Sequence, residues 1–112
     1  MSKPAVWMGR SKESVSDFPD EARRQAGFQV FRVQEGLFPT DWKPMKSAGS
    51  GVFEIRLHRP HEHRVLYVTK FPEAVYVLHA FEKKSQKTPP RDLTIAQENY
   101  KAMLDYRKRS RP

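Results

Sequence analysis

The chain contains no cysteine. That one absence excludes disulfide staples, thiolate zinc sites and cysteine nucleophiles together. No apolar run approaches the roughly 20 residues that a membrane-spanning helix needs. The first eight residues lack the long apolar stretch and small-residue cleavage site of a secretory leader. There are no internal repeats and no low-complexity linker, so 1–112 is expected to be a single domain. Only 38% of the residues are apolar, yet 12% are aromatic, which favours a small folded core over disorder. The expectation is a protein of the reducing cytoplasm, with no membrane contact, metal or cofactor.

Acidic side chains are the scarcer charge, with 13 Asp and Glu against 21 Lys and Arg, for a net +8. Residues 1–36 hold six basic and five acidic side chains, so nearly all of the excess lies behind them. Residues 83–91 carry four cations and no acid, and residues 107–111 carry four more. Such a field attracts phosphates at long range and points to RNA, DNA or a ribosomal partner. A solvated tail is the simpler reading of residues 107–111 alone.

The patterning predicts an α+β fold in the order α-α-β-β-β-α. Ser11 is placed to cap a short helix that stops before Pro19. Pro19 opens a second helix with Asp20 and Glu21 at its positive end. Ala22, Ala26, Val30, Val33 and Leu37 form its buried face, with Phe28 and Phe31 widening it. Gly27 inside this helix costs about 1 kcal/mol relative to Ala, and Gly36 ends it. Residues 38–51 are expected to be a loop. Residues 52–58, 63–71 and 74–83 alternate as strands of an antiparallel meander. A final helix follows Pro89 and Pro90 on a stripe of Leu93, Ala96, Tyr100, Met103 and Leu104. An extra edge strand around residues 5–8 would make three strands into four. Helices are expected on one face of the sheet, with the other face open. Trp7 and Trp42 are expected to anchor packing. His58, His61 and His63 are expected in a solvated turn rather than around a metal.

The strand period of two decides what the open face carries. Glu54 and Arg56 point together, away from Phe53, Ile55 and Leu57. Antiparallel pairing brings Arg64 beside Arg56 or His58. His79, Phe81 and Lys83 share one side of the third strand, opposite Tyr76, Leu78 and Ala80, and are expected to join the arginines. This set suits RNA cleavage without metal. Arg56 and Arg64 can fork onto phosphate oxygens. Glu54 or His79 can exchange protons. Phe81 can stack on an unpaired base. Lys43 and Lys46, in the loop before the sheet, can hold RNA phosphates, as can Lys87. The alternative is that these residues only solubilise a sheet face and form cross-strand pairs.

Several segments resemble a known family when taken in order. They are residues 7–12 (Trp-Met-Gly-Arg-Ser-Lys), Phe18-Pro19, Val33-Gln34-Glu35-Gly36, Lys43-Pro44-Met45-Lys46, residues 49–56 around Glu54 and Arg56, Arg64-Val65-Leu66-Tyr67, and residues 77–89 around His79-Ala80-Phe81-Glu82-Lys83-Lys84. The ordered set resembles the phage-derived, HigB-like branch of the RelE/ParE toxin superfamily. The resemblance implies a RelE-like fold: a helical hairpin, an antiparallel sheet and a C-terminal helix. It implies the toxin of a type II toxin–antitoxin pair, which cuts mRNA on the ribosome and is held by a small helix-turn-helix, HigA-like antitoxin. It assigns basic catalytic positions to Arg56, Arg64 and Lys83 or Lys84, and it sets Glu54 where RelE proteins carry lysine. The superfamily also includes ParE proteins, which inhibit DNA gyrase and cleave nothing, so that reading stands as the alternative.

Overall fold

The computed structural model describes residues 2–110; Met1 and the end of the basic tail, Arg111 and Pro112, lie outside them. The elements are β1 (Ala5–Trp7), α1 (Ser11–Ser16), α2 (Asp20–Gln34), β2 (Trp42–Pro44), a 3₁₀ turn (Lys46–Ala48), β3 (Val52–Leu57), β4 (His63–Val68), β5 (Val75–Glu82) and α3 (Pro90–Arg109). The fold is α+β, as the patterning predicts.

Five strands form one sheet in the order β1-β5-β4-β3-β2. β1 is the expected edge strand, but it pairs parallel to β5, so the sheet is mixed. β2 arises inside the segment read as loop, where residues 42–44 pair antiparallel with β3. Three residues are too few for an alternating pattern to register in the sequence.

The helical hairpin packs on one face, where Ala22, Ala26, Val30 and Val33 of α2 meet Ile55, Leu57, Val65, Tyr67, Val75 and Val77. Pro19 caps α2, and Asp20 and Glu21 fill its first turn. Gly36, at φ +85°, ends it in the left-handed region. Two expectations fail here. Phe28 and Phe31 are exposed, as is Leu37, which lies beyond the helix. At roughly 100° per residue both phenylalanines fall far around the helix from Ala22 and Ala26. Ser11 is the first residue of α1 rather than its cap, and its hydroxyl donates to the Val77 carbonyl at 3.1 Å.

The second face is not open along its length. Ala96 and Met103 of α3 cover Val52, Leu66, Val68, Tyr76 and Leu78, with Leu93 and Tyr100 packed at the margin. The apolar stripe of α3 needs burial, and the face away from the hairpin is the surface left for it. α3 stops short of the end where Arg56 of β3 and Arg64 of β4 pair. That end opens to a surface depression.

A register shift in β5 also changes which residues share a face. Leu66 pairs with His79 and Tyr67 with Val77, so Leu78 is an extra residue. Tyr76, Leu78 and Phe81 consequently lie on the α3 side, and Ala80 lies with Val77 on the other. This corrects the expected separation of Phe81 from Tyr76 and Leu78.

Trp7 packs against the hairpin core. Trp42 stacks on Phe38 at 4.6 Å and meets Phe53 edge-on at 5.3 Å. His63 departs from the solvated-turn expectation: it is buried against the Phe18 ring, with centroids 4.4 Å apart. Among the described residues no helix is long and apolar enough to cross a membrane, and no group of three or more His, Asp or Glu is arranged to hold a metal.

Candidate functional site

Strand register assembles the site. Arg56 pairs with Arg64, Arg64 with Phe81, and Lys43 with Glu54. Past the end of β5 the chain turns back as residues 83–89, so Lys83, Lys84 and Ser85 rise beside the two arginines. Together with Glu62 these residues line a depression of about 520 Å³ at the uncovered end of the sheet.

Arg64 forms its wall. One terminal nitrogen donates to the His63 carbonyl at 3.0 Å, and the other lies 2.9 Å from Glu62. The side chain is 4% exposed, so its charge is held in one place by its own neighbours. Arg56 is half-buried and is the more accessible guanidinium.

Glu54 lies beneath these cations with none of its surface exposed. Arg64 Nε is 3.6 Å from its carboxylate and Lys43 Nζ 3.9 Å. Neither distance is a hydrogen bond. Both carboxylate oxygens, Arg56 Nε and Arg64 Nε are buried without a hydrogen-bond partner among the described residues. Four such atoms at one place are a departure from the usual rule that buried polar groups are paired. Glu54 therefore acts here as the counter-ion that lets the arginines sit close together. It does not reach the surface of the depression, which corrects the expectation that it meets substrate from an open face.

Behind the depression lies a chain of charge that the sequence reading missed. His58 sits between two carboxylates, with Nε2 2.6 Å from Asp41 and Nδ1 2.8 Å from Glu62. An imidazole donates to both only when protonated. Accordingly its pKa is raised, first by the Asp41 hydrogen bond and then by Glu62. Glu62 is lowered, chiefly by His58 and with help from Arg64. Lys83 is lowered, first by burial and then by the Arg64 charge. The one available signal was spacing: His58 and Glu62 flank a tight hairpin and must approach each other.

His79 and Phe81 do not join the depression. His79 is 8% exposed, and its Nε2 lies 2.7 Å from Asp92 on α3. Its ring stacks on Phe81 at 5.4 Å. Phe81 itself is buried, so it offers no free face to a base. Both line a separate cavity on the β5 edge. Lys46 and Lys87 are exposed but are not among the side chains that line the depression, and neither is Lys43, which lies 3.9 Å from Glu54.

Residues 13–101 match the family model described as Phage derived protein Gp49-like (DUF891). No curated protein matches the chain.

Proposed function

We propose, because the chain belongs to the Gp49-like family of phage-derived proteins, that it is the toxin of a type II toxin–antitoxin pair. In this reading it is a HigB-like member of the RelE/ParE superfamily, a ribosome-dependent endoribonuclease that cuts mRNA and arrests translation. It works in the cytoplasm and is held inactive by a helix-turn-helix antitoxin. The observation that carries the reading is the convergence of Arg56, Arg64, Lys83 and Lys84 around one depression.

The chemistry is transfer of a phosphodiester to the neighbouring 2′-oxygen. The 2′-oxygen bonds to phosphorus, the bond to the 5′-oxygen breaks, and the products are a 2′,3′-cyclic phosphate and a 5′-hydroxyl. Arg56 and Lys84 bind the phosphate oxygens, and Arg64 supplies a fixed positive wall for the charge that develops on them. Glu62 and Lys83 are the lining groups placed to move protons. Glu62 is ionised at neutral pH and can take the 2′-hydroxyl proton. The ammonium of Lys83, made easier to deprotonate, can deliver one to the 5′-oxygen. Glu54 keeps the cations together from below.

The test is induction of the chain in cells, with transcript 5′ ends mapped across codons. Codon-linked cuts are expected. Arg56→Ala should reduce cutting by about 10²-fold, the usual cost of losing one preorganised donor. Intact transcripts during growth arrest would refute the nuclease reading. One observation favours a second reading: both proton-exchanging residues expected from the sequence, Glu54 and His79, are withdrawn from the depression. A ParE-type gyrase inhibitor needs no such groups. DNA-damage signalling with intact mRNA would identify it.

A further inference from the structure

A second concave site lies outside the basic depression, and the proposed cleavage does not use it. β1 pairs only with residues 75–77 of β5; beyond them the Leu78 carbonyl accepts from Asn99 Nδ2 at 2.8 Å, and no further strand pairs with that edge among the described residues. α1 and the first turns of α3 flank that edge. A cavity of about 480 Å³ opens between them, inside the roughly 300–1,000 Å³ range of small-ligand sites.

His79 and Phe81 are the buried part of its lining, and Arg10 and Arg91 the exposed part. Asp92 accepts a hydrogen bond from His79 Nε2 at 2.7 Å and so fixes the ring. The other nitrogen, Nδ1, has no hydrogen-bond partner among the described residues. A carboxylate that orients a histidine and leaves its second nitrogen available is the arrangement used where imidazole meets a ligand. Arg10 reaches only Glu13, at 3.9 Å, and Arg91 has no ion-pair partner among the described residues. An unpaired Arg91, an Arg10 held only by the long Glu13 contact, an oriented imidazole and the half-buried Ile95 side chain together suit an anion with an apolar body.

We infer that this cavity seats one nucleotide of the substrate RNA, with its phosphate on Arg10 and Arg91, its base against Ile95 and a polar edge on His79. The inference rests on the nuclease reading for the identity of the substrate. It also rests on adjacency: Phe81 lines this cavity, and its cross-strand partner Arg64 lines the basic depression. Cross-strand neighbours lie about 5 Å apart, so one RNA strand can engage both sites and place the nucleotide beside the scissile one here.

The test is NMR of the full chain with assigned His79 and Phe81 resonances. The probes are adenosine 5′-monophosphate, inorganic phosphate, a 2′-O-methylated RNA hexamer that cannot be cut, and hexaglutamate. The monophosphate and the hexamer are expected to shift His79 and Phe81. Arg91→Ala should weaken the monophosphate effect at His79 by about tenfold, or ~1.4 kcal/mol, and Arg56→Ala should leave that effect in place. Because Arg91 is exposed, its loss leaves folding intact. Equal shifts from inorganic phosphate would reduce the cavity to an anion site and overturn the nucleotide assignment. A response to hexaglutamate alone would make it a peptide site and overturn the assignment equally. A hexamer that shifts only resonances around Arg56 and Lys83 would refute the subsite while leaving the nuclease reading standing. Monophosphate shifts at His79 alongside intact cellular transcripts would refute the nuclease reading while leaving nucleotide binding.

Discussion

Replacing Glu54 with Gln tests whether a buried counter-ion holds the candidate site together. The carboxylate is fully buried, with Arg64 at 3.6 Å and Lys43 at 3.9 Å. At an effective dielectric of 20, a unit pair at 3.6 Å attracts by about 5 kcal/mol. Lys43 adds less, because it is 44% exposed and screened by water. Against this, Gln avoids the cost of keeping a carboxylate out of water, which is itself several kcal/mol. Arg64 keeps its contact with Glu62 at 2.9 Å but loses its buried counter-charge, so the net cost falls at the low end of that for breaking a buried pair, about 3 kcal/mol. Glu54→Gln is therefore expected to lower Tm by roughly 15 °C in a domain of this size. Urea denaturation at pH 7 measures the free energy directly. A second readout is independent of stability. Glu54 is one of the charges that raise the Lys83 pKa against burial, Arg64, Lys43 and Arg56. In the variant, Lys83 should lose its proton at a lower pH than in the parent, followed by NMR of its side chain. A stability within about 0.5 kcal/mol of the parent, the size of an ordinary surface substitution, would refute the account of Glu54 as counter-ion.

Other expectations follow from the same geometry. The His58 pKa is raised by Asp41 and Glu62, so its contribution to stability is full below the ordinary histidine value of about 6.5 and is lost as pH rises through the folded-state value. Thermal melts between pH 6 and 9 should show that decline, and His58→Gln should flatten it. Glu73 is pulled down to about 2, mainly by the Arg107 hydrogen bond. Its contribution is present above the ordinary glutamate range and disappears as pH falls toward 2; Arg107→Ala should return its carboxyl, titrated by NMR, toward the ordinary value. Gly27 lies on the outer face of α2 with nothing within 4 Å of an added Cβ, so Gly27→Ala should stabilise by about 0.8 kcal/mol in denaturant melts. Gly49→Ala should destabilise, because φ is +152° and an added Cβ would meet the Tyr100 ring at 2.6 Å.

The buried face of α2 was legible in the spacing of Ala22, Ala26, Val30 and Val33, since burial of a helical stripe repeats every turn. The three long strands were legible for the same reason at a period of two, and so was the approach of Arg64 to Arg56 or His58 across a short hairpin; the register settles it on Arg56. Net charge and its concentration behind residue 36 placed the cations on the sheet and the final helix. These are local properties: each depends on side chains a few positions apart along one element.

Tertiary packing decided the rest. β2 exists because residues 42–44 find β3, and the extra residue at Leu78 in β5 is visible only against its partner strand. α3 covers most of the face expected to be open, which confines the candidate site to one end and draws His79 to Asp92, thirteen positions away. Glu54 had the pattern of an exposed residue, yet it is sealed beneath Arg64 and Lys43. Alternation tells which side of a strand a residue takes, whereas exposure depends on what distant segment settles over that side, and a period within one strand carries no record of it.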